Sequence, residues 1–186
     1  MKEREAMKGP VEIKGKVWVL RDEKGRATDD IDTDQIYHNA HLAITELEKM
    51  GQFALGNLPG WEDLPQKARP GDILIVGQNF GAGSSRQQAV DCFRSLGIAL
   101  IMGESFAAIY KRNAVNSGFP LMVCSGIISQ PGKVDSGNIL EVNLSTGEVF
   151  NHTTGKKIEG GERFSQVQMD IYQAGNLFEY GKTILS

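Results

Sequence analysis

The stretch ILIVGQNFGAGSSRQQAVDCFRSLGIALIMGESFAAIYKRNAVNSGFPLMVC, Ile73 to Cys124, alternates short apolar runs with amphipathic segments. Ile73–Gly77, Ile98–Met102 and Phe119–Cys124 are continuous apolar runs of strand length, the pattern of strands covered on both faces. Between the first two, Ala89, Val90, Phe93 and Leu96 fall on one helical stripe, and Gly97 supplies a C-terminal stop. Between the second and third, Ser105 is placed to cap a helix in which Phe106, Ile109, Tyr110 and Ala114 share a face before Gly118. Strand, helix, strand, helix, strand with short links requires crossover connections, so the expected class is α/β with a central parallel sheet.

Upstream, Val17–Leu20 in GKVWVL reads as an earlier strand. After the polar, irregular stretch DDIDTDQIYHNAHL (29–42), Ile44, Leu47 and Met50 recur at helical spacing. A long, adaptable connection is expected from there to Pro70, and the segment from His38 to Pro70 is the expected place for movement or partner contact. Downstream, NILEVNLSTGEVFNHTTGKKI (138–158) alternates polar and apolar residues about Ser145-Thr146-Gly147, which predicts an antiparallel hairpin. Phe164 to Ala174 reads as a final helix. One domain is expected over residues 1–186, with 1–14 a weakly ordered N-terminus.

Composition narrows the function classes. A formal net charge of -3 and a pI near 5.7 supply no broad field for nucleic acid or an anionic membrane. No apolar run approaches the ~18 residues of a membrane span, and MKEREAMKGP lacks the apolar block of a signal peptide, so the expected location is cytoplasmic. Cys92 and Cys124, the only cysteines, match no zinc or redox spacing and read as small buried hydrophobes. Two thiols are too few for an iron-sulfur cluster, so any cluster would belong to a partner.

Gly81-Ala82-Gly83-Ser84-Ser85-Arg86 follows the first central strand and opens a helix, where ligands of parallel sheets bind. Free helix amides favour a carboxylate or phosphate, and the guanidinium of Arg86 adds a planar fork. A tight strand-to-helix turn with a serine cap is the competing explanation. The nucleotide loops fit poorly: there is no Gly-Lys-Ser/Thr ending, and Arg86 stands where the last glycine of Gly-x-Gly-x-x-Gly belongs. A second candidate is the acidic run Asp29, Asp30, Asp32 and Asp34. It is not a calcium loop, because Gln35 and His41 occupy the positions that need glycine and glutamate. On these residues alone, solvated turn-capping carboxylates are the stronger explanation.

Three signatures in order, DDIDTDQI (29–36), NFGAGSSRQQA (79–89) and ESFAAIYKRNAVNSGFPL (104–121), resemble the aconitase superfamily, specifically its swivelling domain in the form of the separate small subunit of isopropylmalate dehydratases. The resemblance implies a swivelling β/β/α-type domain with additional antiparallel strands beside the parallel sheet. It implies a hydro-lyase that isomerises a hydroxy acid by dehydration and rehydration, most simply 3-isopropylmalate and 2-isopropylmalate in leucine biosynthesis. The 4Fe-4S cluster would sit on a large subunit, in a heterodimer or heterotetramer. The family's catalytic serine falls on Ser84, and its substrate-binding neighbours fall on Ser85, Arg86 and Asp34.

Departures from the family pattern fall around that core. Ala82 stands where cysteine is frequent, Gln87-Gln88 replace Glu-His, and His41, Leu42, Ala43 and Ile44 replace a Tyr-Leu-Arg-Thr-like specificity loop. Losing that arginine makes the neighbourhood more apolar and leaves homoaconitate, methylcitrate-like acids and dimethylmalate as alternatives. A non-catalytic carboxylate-binding domain and a purely structural module are the readings from other classes.

Overall fold

The computed structural model describes residues 9–130 and 132–185. Among them, seven strands form one mixed sheet in the order β4-β3-β2-β1-β5-β6-β7. The parallel half consists of β1 (Glu12–Val19), β2 (Ile73–Val76), β3 (Leu100–Gly103) and β4 (Leu121–Val123). The antiparallel half, β5 (Ile139–Asn143), β6 (Val149–Asn151) and β7 (Lys156–Ile158), includes the expected hairpin and adds a third strand. β1 belongs to both halves: Glu12–Lys16 pair antiparallel with Ile139–Asn143, then Val17–Val19 pair parallel with Ile73–Ile75. Glu12, Ile13 and Lys14, which fall within the expected weakly ordered stretch 1–14, are held in the ladder. The Tyr172 hydroxyl also donates to the Pro10 carbonyl at 3.0 Å. Residues 1–8 lie outside the described residues.

Side chains alternate across each strand, so the sheet has an apolar core on each face. Leu74, Val76, Ile101 and Leu121 point to one side, where they meet α4 (Gln88–Leu96) and α5 (Ala108–Asn116) through Val90, Phe93, Tyr110 and Ala114. Ile73, Ile75, Leu100, Met102 and Met122 point to the other, against the antiparallel half and Met169 of α6 (Gln166–Ala174). Cys92 and Cys124 belong to opposite cores, and burial pushes both thiols up, Cys124 to about 11.

Four local expectations need correction. Ser105 does not cap α5: the helix starts after Ala107 with no side-chain cap, and Ser105 Oγ instead accepts from the Asn79 amide at 2.8 Å. Ile109 is 40% exposed, off the buried face of Tyr110 and Ala114. The helical spacing of Leu47 and Met50 is realised as the four-residue helix α2 (Leu47–Met50), but the stretch from there to Pro70 is not one adaptable connection. It holds a second four-residue helix, α3 (Leu64–Lys67), and buries Ala54, Leu55, Leu58 and Leu64 in the first core. Leu55 takes a left-handed conformation, φ 57°, which lets its amide reach the Ile36 carbonyl at 2.8 Å. Finally, α6 is not the last helix, because α7 (Leu177–Leu185) follows it after the left-handed Gly175.

Candidate active site

Because β1, β2 and β3 are parallel neighbours, the chain leaves all three at the same end of the sheet. Each of the three signature segments comes after one of these strands, so the topology gathers them. The parallel order continues into the loops as bridges between Asp32 and Ala82 and between Phe80 and Phe106. Asp29 Oδ1 accepts from the Gln78 amide at 2.7 Å, and Asp30 Oδ1 from Asn79 Nδ2 at 2.8 Å, which stitches the first two loops together. Gly81 sits where the backbone turns with φ 83° against the Tyr110 ring; an added Cβ would lie 2.2 Å from Tyr110 Cγ. Only glycine fits both demands.

The aspartates divide their work. Asp32 is the N-cap of α1 (Thr33–Ile36), accepting from the amides of Asp34 and Gln35, and Gln35 completes a capping box by accepting from the Asp32 amide. This is the capping role expected of the acidic run, and it frees Asp34 for another. Asp34 Oδ1 accepts from Arg86 Nη1 at 2.7 Å and from the Asn39 amide at 3.0 Å, while Oδ2 accepts from Asn57 Nδ2 at 3.1 Å. Arg86 Nη1 also donates to the Tyr37 carbonyl at 3.1 Å. The Arg86 side chain is only 16% exposed, and its Nε and Nη2 have no partner among the described residues. Those two donors form the fork that grips a carboxylate in bidentate fashion.

The hydrogen bond from Arg86 holds the Asp34 carboxyl below its usual 3.8, against the upward push of desolvation. A carboxylate whose folded pKa is depressed stabilises the fold fully above its unfolded pKa and loses that contribution as pH falls through the folded value. Asp34→Asn is therefore expected to lower the melting temperature at neutral pH. The gap to the wild-type protein should close as pH drops below 3.8, checked by thermal melts across the acid range. A gap independent of pH would remove the ion pair from the explanation.

The serines are not at a helix cap, contrary to the turn-and-cap reading. α4 is capped by Gln87 without a side-chain bond, and Ser84 and Ser85 lie exposed in the loop before it. Ser85 Oγ accepts from Asn113 Nδ2 at 3.0 Å, whereas the Ser84 hydroxyl has no hydrogen-bond partner among the described residues. Backbone amides from Gly83 to Gln88 likewise donate to no described residue, so an unpaired amide row flanks the Ser84 hydroxyl. Such a row, at the positive end of α4, stabilises negative charge.

The expected specificity loop wraps the same helix start. Gln88 Nε2 donates to the Leu42 carbonyl at 3.4 Å. Leu42 and Ile44 pack on the first core, and Ala43 is exposed. His41 stacks on Phe53 at 3.9 Å between centroids, with Tyr37 edge-on to both rings. His152 is remote, paired with Glu141 on the antiparallel half. Asn57, Asn113 and Thr33 are site residues that sequence reasoning missed. Thr33 and Asn113 stand inside two of the signature segments, 29–36 and 104–121, whereas Asn57 lies outside all three.

A mixed sheet whose β1 and β2 loops converge on a free serine and an oriented arginine is the architecture of the aconitase C-terminal domain, whose family model matches residues 26–124. The chain belongs to that family. It is 41% identical over 170 residues to the isopropylmalate/citramalate isomerase small subunit of Methanocaldococcus jannaschii, covering 91% of this chain and 94% of that one. It is 37% identical to the 3-isopropylmalate dehydratase small subunit 1 of Methanopyrus kandleri, over 90% of this chain and 91% of the relative. A crystal structure of 3-isopropylmalate dehydratase from Methanocaldococcus jannaschii superposes with a TM-score of 0.81 at 30% identity, covering 94% of this chain and 95% of the other.

Proposed function

We propose that this chain is the small subunit of a hydro-lyase of the isopropylmalate dehydratase type, supplying the proton-transfer base and the carboxylate grip to a cluster-bearing large subunit in the cytoplasm. The observation that carries this reading is the Asp34–Arg86 pair at 2.7 Å, which orients an otherwise free guanidinium fork beside the unengaged Ser84 hydroxyl. Among the described residues no helix is long and apolar enough to cross a membrane.

In the reaction, Ser84 as alkoxide takes the proton from the carbon next to a substrate carboxylate. The electron pair left on that carbon forms the double bond and the hydroxyl on the adjacent carbon leaves as hydroxide, so the elements of one water depart as this hydroxide and the proton held on Ser84. Readdition of the two with the opposite orientation completes the isomerisation. The amide row from Gly83 to Gln88 and the cationic Arg86 offset the cost of an alkoxide. Arg86 holds the carboxylate through Nε and Nη2, Asp34 keeps the fork in place, and Ser85 adds a donor whose rotamer Asn113 fixes.

A 4Fe-4S cluster on the partner would supply Lewis acidity toward the substrate hydroxyl. The two thiols of this chain do not fit as ligands to it: they lie in separate cores with raised pKa values and donate weakly to backbone carbonyls.

The substrate is assigned as 3-isopropylmalate and its isomer. The stretch His41–Ile44 carries three apolar residues and no arginine, and relatives named for alkyl-substituted malates are similar chains. The purified complex with its large subunit should turn over 3-isopropylmalate and citramalate with kcat/KM at least about tenfold above homoaconitate, whose distal carboxylate lacks a partner here. Preference for homoaconitate would reassign the substrate and leave the reaction class standing.

A further inference from the structure

The Ser84 hydroxyl has no hydrogen-bond partner among the described residues, so its aim rests on how the backbone of its loop is held. One side chain holds it. Thr33 is only 3% exposed, and its hydroxyl donates to the Ser84 carbonyl at 2.9 Å, while its amide donates to the Ala82 carbonyl at 2.9 Å. The two contacts bracket Gly83, whose φ of 89° turns the chain so that both carbonyls face Thr33. From the other strand of this contact, the amides of Gly81 and Ala82 donate to the Ile31 carbonyl at 2.8 and 3.3 Å. Thr33 is also the first residue of α1, directly before Asp34, so one short helix fixes both the loop of Ser84 and the carboxylate that aims Arg86.

We infer that Thr33 is a positioning residue: its buried hydroxyl holds the Ser84 backbone in register with the Asp34–Arg86 pair, so that base and carboxylate grip keep a fixed separation. This rests on the reading of Ser84 as the base. A misplacement of about 1 Å in a reacting group costs on the order of 10²-fold in rate. A held backbone matters to turnover and little to substrate affinity, because the Arg86 fork is untouched. A threonine that only filled space would be replaced without kinetic loss by valine, its isostere.

The test uses the complex of this chain with its large subunit. Thr33→Val is expected to lower kcat about 10²-fold with KM within about threefold of wild type, and Thr33→Ser to keep kcat within about threefold. Thr33→Ala, which introduces no new contact, is measured beside them so that misfolding of one variant leaves the other to decide. Wild-type kcat in Thr33→Val or Thr33→Ala, or a Thr33→Ser as impaired as Thr33→Val, overturns the inference. Ser84→Ala run in parallel separates the two levels: its inactivity beside an unimpaired Thr33→Val removes only the positioning role, whereas its normal turnover removes the base and this role with it.

Discussion

Ser84→Ala should reduce turnover of the assembled complex by a factor of about 10³ to 10⁴ while leaving its assembly and fold intact. The selectivity follows from geometry. The Ser84 side chain is exposed and bonds to no described residue, so its removal leaves no cavity and no orphaned polar group. Stability is therefore expected to change by less than about 0.5 kcal/mol, the range of surface substitutions. The backbone contact from Thr33 to the residue 84 carbonyl at 2.9 Å survives the substitution, so the loop keeps its course. Steady-state turnover, measured with a melting curve and the affinity for the large subunit, checks all three statements. A variant with normal turnover would reject Ser84 as the base, and one that failed to assemble would reassign it to the interface.

Arg86→Lys should be nearly as severe, although it keeps the charge. An ammonium cannot pair with Asp34 and the Tyr37 carbonyl on one side while presenting a planar two-donor edge on the other. Loss of one charge-assisted bond to a group that gains charge in the transition state costs about 10²- to 10³-fold. The expected result is a fall of that size in kcat/KM, with KM for the hydroxy acid raised, because on the proposed mechanism the same edge would grip the ground-state carboxylate. Asp34 would lose its strongest partner, so its carboxyl should rise toward 3.8. A titration of the Asp34 carboxyl carbon by NMR tracks that change directly. An unchanged KM in Arg86→Lys would mean that the fork does not hold substrate.

The central architecture is legible in residues 73–124 because buried parallel strands and crossover helices carry strong, different periodicities. Gly97 reads as a stop, and its φ of 83° shows why glycine is there. The misleading signals share a physical origin. Ser105 and the Ser84-Ser85 pair look like caps because serine before a helix usually is one. Here tertiary partners, Asn79 for Ser105 and Asn113 for Ser85, claim the hydroxyls instead. The stretch between Met50 and Pro70 looks loose in sequence because its apolar residues follow no single period. Successive short turns bury Ala54, Leu55 and Leu58 without needing one.

Within the site, the motifs identify the loops but not their mutual geometry. That Asp32 caps while Asp34 pairs depends on where α1 begins, and Asn57 reaches Asp34 across 23 residues of sequence. No local pattern encodes such a contact. The apolar character of the loop at His41–Ile44 is visible in its residues, yet its anchoring to α4 through Gln88 and Leu42 emerges only in three dimensions.

Catalysis on this account needs two halves, with the base and the carboxylate grip on this chain and the cluster on another. Titrating this chain into a fixed amount of cluster-bearing large subunit, and monitoring the unsaturated acid formed from 3-isopropylmalate by its ultraviolet absorbance, tests that division most directly. Neither subunit should turn over alone, and activity should rise with added chain and saturate at equal amounts of the two. Full activity from the large subunit alone, or none at saturation, would contradict it.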